Sequence, residues 1–210
     1  MKRLMLMAAL CAASLGCLSD QASGPFRVLN AYATSGSTCD PEFSRLLSQG
    51  RLVWSVSNNY GLFLNLETNN ARQPIEINNV EVASGAGYSD ITLEEITYEY
   101  EGADLGVEEE SSVLRVLFRP AVGAEQNSYI SVLALGPKAV EGMQAALDDS
   151  ENGQVNLMVT IRLRGHMGSG GFAVESNAFT FPLQVLASAT CSGGAAPTYA
   201  CPGQDPVCGG

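Results

Sequence analysis

The side chains best suited to take part in a reaction lie around His166, the only histidine in the chain. An imidazole can act as a general base near neutral pH. A serine hydrolase also needs a presented nucleophile, and Ser169 lies in Gly-Ser-Gly-Gly rather than in a Gly-x-Ser-x-Gly elbow between strand and helix. We therefore interpret residues 164–171 as a glycine-rich hairpin loop and predict no catalytic residue. An unrecognised hydrolase is the alternative.

A second group of side chains places oxygens at alternate positions. Asp148, Ser150 and Asn152, followed by Gly153, resemble the first half of an EF-hand calcium loop. The resemblance implies a bidentate acid at position 159, but that residue is Val159, and the next segment has a strand pattern. We interpret the segment as a solvated turn between helix and strand. Calcium binding by Asp148, Ser150 and Asn152 is the alternative, and no other cofactor is predicted.

The third candidate is the stretch from Glu94 to Glu110, which contains eight acidic residues and no basic one. We interpret it as a strand with an acidic outer face followed by an acidic loop, since charge at a sheet edge opposes unwanted strand pairing. The functional alternatives are docking of a basic partner or collection of divalent cations. Tyr98 and Tyr100 lie in the core or form a sugar-stacking face.

These side chains are carried mainly by segments of period two, which indicates strands. A possible first strand covers 26–32, and residues 52–56 and 62–66 predict a hairpin across a turn at 58–61. Residues 41–47 have apolar spacings of three and four, which suggests a short helical turn. Further predicted strands cover 75–82, 91–100, 113–119, 128–135, 155–164 and 178–186.

The alternation changes phase at Asn78-Asn79 and at Glu94-Glu95. A one-residue slip turns the core face outward unless a bulge absorbs it, so we predict a β-bulge or kink at both places. Pro182 has no N–H to donate, which predicts an edge or bulged position for the last strand.

One helix interrupts the strands. Pro137 suits a first helical position, and Val140, Met143 and Leu147 repeat at three and four. The pattern as a whole predicts a single antiparallel β-sandwich, immunoglobulin-like in architecture, with seven to nine strands. We expect the helix to close one end of it.

The first residues predict export. Met1-Lys2-Arg3 and an apolar run to Leu15 form a secretory signal that is too short to span a bilayer. Ser14-Leu15-Gly16-Cys17 resembles the lipobox of bacterial lipoproteins, which implies cleavage before Cys17 and acylation of that cysteine. In that family Leu18, rather than an aspartate, after the cysteine implies the outer membrane, with the leaflet left open. The alternative is an ordinary signal cut near Ala12 or Ala13.

The predicted organisation is a signal peptide at 1–16, a lipidated tether at 17–25, a sandwich at 26–186 and a Cys/Gly/Pro-rich tail at 187–210. Cleavage removes Lys2 and Arg3, so 9 basic residues face 22 acidic ones and the formal charge changes from −11 to −13. Such acidity argues against nucleic acid, whose phosphates need Lys and Arg. It also argues against a polybasic membrane contact.

Cysteine usage agrees with an oxidising compartment. Of six cysteines, Cys11 leaves with the signal and Cys17 takes the lipid. The other four, Cys39, Cys191, Cys201 and Cys208, suggest two disulfides with three possible pairings. Because Cys39 lies far from the rest, we expect it to tie the N-terminal part of the domain to the tail. A single histidine and the lack of Cys-x-x-Cys make zinc a poor alternative.

The layout resembles a class of Gram-negative lipoproteins with a lipobox, a short tether, one β-sandwich and a Cys/Gly/Pro-rich end, a class that implies no activity. The resemblance is carried by Ser14–Cys17, by residues 165–182 and by residues 191–208. The leading hypothesis is a non-enzymatic binding or structural module of the cell envelope. Its membrane contact would be the lipid on Cys17, and its partner a protein or a glycan. A calcium-dependent surface module is the alternative.

Overall fold

The computed structural model describes most of the chain from Phe26 onward. The residues described are 26–35, 38–68, 75–77, 80–83, 90–119, 128–168, 171–191, 194, 197–198, 201 and 204–205. The predicted signal, Cys17, the tether, Ser169 and Cys208 therefore lie outside the described residues. The elements, in chain order, are β1 (Phe26–Thr34), β2 (Pro41–Leu47), β3 (Gly50–Val53), β4 (Gly61–Thr68), β5 (Ile75–Ile77), β6 (Val80–Ala83), β7 (Ile91–Glu101), β8 (Glu109–Phe118), β9 (Tyr129–Leu133), α1 (Pro137–Asp149), β10 (Gln154–Met167), β11 (Phe172–Glu175) and β12 (Phe179–Leu186).

The strands form two main sheets and a small hairpin. The four-stranded sheet has the order β2-β1-β4-β9. The six-stranded sheet has the order β3-β12-β10-β7-β8, with β11 paired to β10, and β5 pairs with β6. Only β3 and β12 run parallel among these pairs. The prediction of a mainly β, sandwich-like chain is confirmed. The count of seven to nine strands is too low for the twelve described, because the short strands β2 and β11 and the β5–β6 pair were not resolved by the pattern.

The core lies between the two sheets and follows the alternation of the sequence. In β10, the cleanest predicted strand, every second residue is buried: Val155, Leu157, Val159, Ile161 and Leu163. On the four-stranded sheet, the buried residues of β4 are Leu62, Leu64 and Leu66. Burial of a large aliphatic side chain stabilises a fold by about 1.5–3 kcal/mol, so these strands hold the two sheets together.

The helix forms where it was predicted. Pro137 opens it after the N-cap Gly136, and Ser150 closes it. Ala139, Met143 and Leu147 point into the protein. A Cβ at Gly142 would lie 2.0 Å from the Leu105 carbonyl oxygen, so this glycine permits close packing of α1 on the loop after β7.

Two sequence predictions before residue 66 are wrong. Residues 41–47 form strand β2, and the register of β1 against β2 shifts between Tyr32 and Ala33. Because of this irregularity, the apolar residues of β2 do not follow a period of two. Residues 52–56 and 62–66 do not form a hairpin, because β3 pairs with β12 in one sheet and β4 pairs with β1 in the other. Alternation shows which face of a strand is buried, but it does not identify the neighbouring strand.

The two phase changes have different outcomes. At Glu94-Glu95 the predicted bulge is confirmed, since β7 shifts register against both β8 and β10 between Leu93 and Glu95. Asn78-Asn79 lies outside the described residues. The flanking strands β5 and β6 pair antiparallel, with their register shift between Ile75 and Glu76.

Pro182 lies on a strand that is interior over only part of its length. Opposite Met158 it pairs with β10, whereas pairing of β12 with β3 begins one residue later, at Leu183. The predicted edge position therefore holds for β12 up to Pro182 and fails from Leu183 to Leu186. A proline at this point leaves the ladder to β3 intact.

One disulfide joins the beginning of the domain to the tail. Cys39 is bonded to Cys201, a separation of 162 residues. This confirms the expected tie. Cys191 is also disulfide-bonded, and Cys208 lies outside the described residues.

Two polar tail residues continue this connection, and we call Gln204 and Asp205 the tail clasp. The buried Gln204 side chain accepts hydrogen bonds from the Thr34 N–H (3.3 Å) and hydroxyl (3.0 Å) and donates one to the Gly61 carbonyl (2.6 Å). Its amide thus links β1 and β4 two residues beyond their Tyr32–Phe63 pair. Asp205 accepts from the Arg51 N–H (2.7 Å) and the Tyr60 hydroxyl (3.2 Å). The clasp therefore holds both sheets.

Candidate binding surface

His166 lies near the end of β10 rather than in a loop. Its Nδ1 is 2.9 Å from Glu94 Oε2, and both side chains are about half exposed. A groove of about 370 Å³ beside them is lined by Glu94, Glu95, Arg164, Gly165, His166, Ala173, Val174 and Glu175. These described lining residues include no hydroxyl or thiol, so the groove offers an exposed histidine–carboxylate contact but no described nucleophile next to the imidazole.

The EF-hand-like residues form the end of α1. Asp148 Oδ1 accepts a hydrogen bond from Gln144 Nε2 (2.8 Å), and the Ser150 hydroxyl donates to the Leu147 carbonyl (2.8 Å). Gly153, with φ of 59°, turns the chain into β10. Within the described ranges, no group of three or more His, Cys, Asp or Glu side chains is placed to hold a metal ion. The local contacts therefore match a helix end that turns into a strand.

The acidic stretch does not act as one unit. Glu94, Glu95 and Glu99 pair with His166, Arg164 and Arg162 on the adjacent strand β10. Other acids, including Asp104 and Glu108, line an open groove of about 920 Å³ formed by residues 99–109. The last acid, Glu110, is buried.

Glu110 caps the helix from another element. Its carboxylate accepts hydrogen bonds from the N–H groups of Lys138 and Ala139, both at 2.9 Å, and from the Tyr100 hydroxyl at 3.0 Å. The Tyr100 hydroxyl in turn accepts from the Gly136 N–H at 2.8 Å. A carboxylate at a helix N-terminus satisfies orphan N–H groups and complements the helix dipole. Glu110 therefore has a structural role as the cap of α1.

Tyr98 and Tyr100 belong to the core, which settles the alternative left open by their pattern. Both are buried, and their rings stack with centroids 6.1 Å apart. Burial raises the pKa of both phenols, and the nearby charge of Glu110 raises each pKa further. Neither ring is placed to stack against a sugar.

The surface that the sequence did not predict is the solvent side of the four-stranded sheet. Its apolar face consists of Phe43, Leu46, Phe63, Tyr129 and Leu133, with the buried ring of Tyr32 beneath. Exposed fractions are 60% for Leu46, 54% for Leu133, 43% for Phe43 and 41% for Tyr129. Contiguous apolar patches of several hundred Å² are uncommon on monomers and mark interaction sites.

Strand geometry brings these side chains together. On β4 and β9, Phe63, Tyr129 and Leu133 alternate with buried residues and so point away from the core. Phe43 lies in the irregular part of β2, and its ring contacts those of Tyr32 (5.2 Å) and Tyr129 (5.6 Å). Tyr129 also contacts Phe63 at 5.8 Å. The aromatic rings of Tyr32, Phe43, Tyr129 and Phe63 therefore form a packed cluster.

The rings of this cluster do not share a plane. The interplanar angle is 90° between Tyr32 and Phe43, 55° between Phe43 and Tyr129, and 67° between Phe63 and Tyr129. Edge-to-face contacts of this kind are favourable within a cluster.

Charge around the apolar face is balanced. The strands of the four-stranded sheet carry four charged residues, which form two ion pairs, Arg27–Glu67 and Arg45–Glu42. The net charge of −11 of the whole chain therefore resides on other parts of the molecule. An apolar centre with a neutral polar rim is the usual composition of a protein interface.

No protein family, curated protein or solved structure matches this chain. Among the described residues, no helix has the length and apolar character needed to cross a membrane.

Proposed function

We propose that this protein is a lipid-anchored, non-enzymatic binding module of the bacterial cell envelope. It binds a protein partner through the apolar face of the four-stranded sheet. The observation that carries this proposal is the exposed cluster of Phe43, Phe63 and Tyr129, flanked by Leu46 and Leu133. A rigid sheet that presents aromatic side chains to solvent is typical of recognition surfaces, whose strongest contacts come from such residues.

The address rests on the first residues and on the cysteines. The lipobox-like Ser14–Cys17 supports acylation of Cys17, and two or more acyl chains anchor a protein stably. The Cys39–Cys201 disulfide supports an oxidising compartment. Nine residues, 17–25, separate the lipid from β1, so the sandwich would lie within about 30 Å of the membrane surface. We place the protein at the outer membrane and its sandwich in the immunoglobulin-like class.

A protein partner is favoured over a glycan by the ring geometry. Sugar recognition by stacking uses an aromatic ring whose face is open to solvent, whereas Phe43 contacts the rings of Tyr32 (5.2 Å) and Tyr129 (5.6 Å), and Tyr129 also contacts Phe63 (5.8 Å). The neutral rim also favours a partner whose contact surface is apolar and weakly charged.

The test compares aspartate substitutions on the two sheets of the full-length protein. Leu46→Asp and Leu133→Asp place charge on the apolar face, and we expect the native complex containing the protein to lose its partner and shrink on native gels. Met158→Asp is the matched control, because Met158 is 40% exposed on β10 of the other sheet. It should leave the complex intact.

Because all three side chains are exposed, the variants should keep the thermal stability of the wild type. A complex of unchanged size in both apolar-face variants, or the same loss with Met158→Asp, would refute the proposed binding face.

A further inference from the structure

Strand β8 lies at one edge of the six-stranded sheet, and β3 lies at the other. It spans ten residues, Glu109–Phe118, and within the described part of the chain it pairs only with β7. Its outward side chains include Val113, 75% exposed, and Leu117, 50% exposed. An outer strand presents a row of N–H and C=O groups that another strand can complete. Proline, a common protection of such edges, does not occur in β8.

The charges along β8 are unevenly placed. Glu108 and Glu109 lie at its start and Arg115 in its second half, and all three are exposed. None of them forms an ion pair with a residue that the structure describes. Two charged residues near β8 already have ion-pair partners. Arg119 contacts Asp90, and Glu99 contacts Arg162. The strand thus has an acidic end and a basic half without ion-pair partners among the residues that the structure describes.

This arrangement is complementary to itself in one orientation only. In a parallel pair of two β8 strands, each Glu109 would face Glu109 of the second copy. In an antiparallel pair, the acidic start of each strand faces the basic half of the other. With Ser112 opposite Ser112 of the second copy, Glu109 lies opposite Arg115 on the solvent side, and this contact occurs twice across the two-fold axis.

We propose that β8 binds β8 of a second copy of this chain, antiparallel and in the register centred on Ser112. The pairing joins two six-stranded sheets into one continuous sheet by strand addition. Each half contributes backbone hydrogen bonds and one cross-strand ion pair between Glu109 and Arg115. The apolar face on the other sheet stays free for its own partner, so this pairing does not depend on the proposed function.

Because Ser112 faces Ser112 of the second copy in the proposed register, a cysteine at this position reports the pairing directly. In the full-length protein, Ser112→Cys would bring two thiols together at the axis. Oxidation of cell lysates with copper phenanthroline should give a reducible band of twice the protein mass on a blot. Thr92→Cys is the matched control, because Thr92 is exposed on β7, which lies inside the same sheet between β10 and β8. It should stay monomeric.

Charge substitutions in the Ser112→Cys background separate specific pairing from random collision. Arg115→Glu sets like charges opposite each other at both ends, and the cross-linked fraction should fall about tenfold. Combining Glu109→Arg with Arg115→Glu reverses both charges and should restore cross-linking. Equal cross-linking of Thr92→Cys, no cross-linking of Ser112→Cys, or no rescue by the double charge reversal would each overturn the proposal.

Discussion

Glu110 illustrates how one buried side chain can connect three elements. It lies on β8, caps the first turn of α1 and bonds Tyr100 of β7. Gly136 makes the approach possible, since a Cβ at this N-cap position would lie 2.5 Å from the Glu110 carboxyl carbon. A Ser or Asp at the N-cap would cap the helix in the usual way, but it would displace the carboxylate.

Removal of the Glu110 carboxylate should lower the free energy of unfolding. Glu110→Ala leaves two helix N–H groups and the Tyr100 hydroxyl without their acceptor, and we expect a loss of about 3 kcal/mol in the free energy of unfolding. Urea denaturation of the purified protein measures it. Glu101→Ala is the control, because Glu101 is exposed at the end of β7 and should change stability by less than about 0.5 kcal/mol. Equal effects of the two substitutions would contradict the capping role.

Tyr98 gives the fold a predictable weakness at alkaline pH. Burial, followed by the charge of Glu110, raises the pKa of Tyr98 above its ordinary value of 10.0, so the unfolded chain loses this proton first. The stability from the neutral phenol is thus complete below pH 10 and decreases as pH rises above it, by at most about 1.4 kcal/mol per pH unit. Tyr98→Phe should retain more of its neutral-pH stability at pH 11 than the wild type. Parallel stability–pH curves for the two proteins would argue against this linkage.

At the scale of elements, period-two patterns predicted most of the fold. Strands β4, β7, β10 and β12 and the helix were found near their predicted positions. The phase change at Glu94-Glu95 also identified its bulge. These succeed because burial of one strand face is a local property of the sequence.

The candidate site could not be predicted in the same way. Phe63 could be recognised as an apolar residue on the solvent side of β4, but its neighbours come from β1, β2 and β9, which are distant in sequence. Phe43 was assigned to a helical turn, and the β1–β2 register that brings it over the sheet is a tertiary property. Binding faces that combine several strands depend on strand order, which alternation does not encode.

The tail clasp leads to a prediction about the C-terminal tail. Replacing both Cys39 and Cys201 with Ser opens a closed loop of more than 150 residues, and we expect a loss of about 3–5 kcal/mol of stability. Gln204→Ala in the disulfide-bonded protein should cost about 1–3 kcal/mol, since it frees the buried Thr34 hydroxyl and N–H. Thermal melts with and without reductant measure both effects. A disulfide-free variant as stable as the wild type would show that the tail does not hold the sheets.

At the scale of the whole molecule, acidic charge is unevenly distributed. The four-stranded sheet carries the apolar face and balanced ion pairs, whereas β7, β8 and the loop between them carry the acidic residues 94–110. The acidic charge of the described strands therefore lies away from the apolar face, which stays available for apolar contact. The short tether of nine residues would keep that face close to the membrane.

The most direct test of the account is metabolic labelling with an alkyne-bearing palmitate, followed by membrane fractionation of full-length wild type and Cys17→Ser. We expect the wild-type protein to carry the label and to be recovered with the membranes, and the Cys17→Ser variant to carry no label. Wild type that is unlabelled and recovered in the soluble fraction would contradict the lipid anchor on which the proposed function rests.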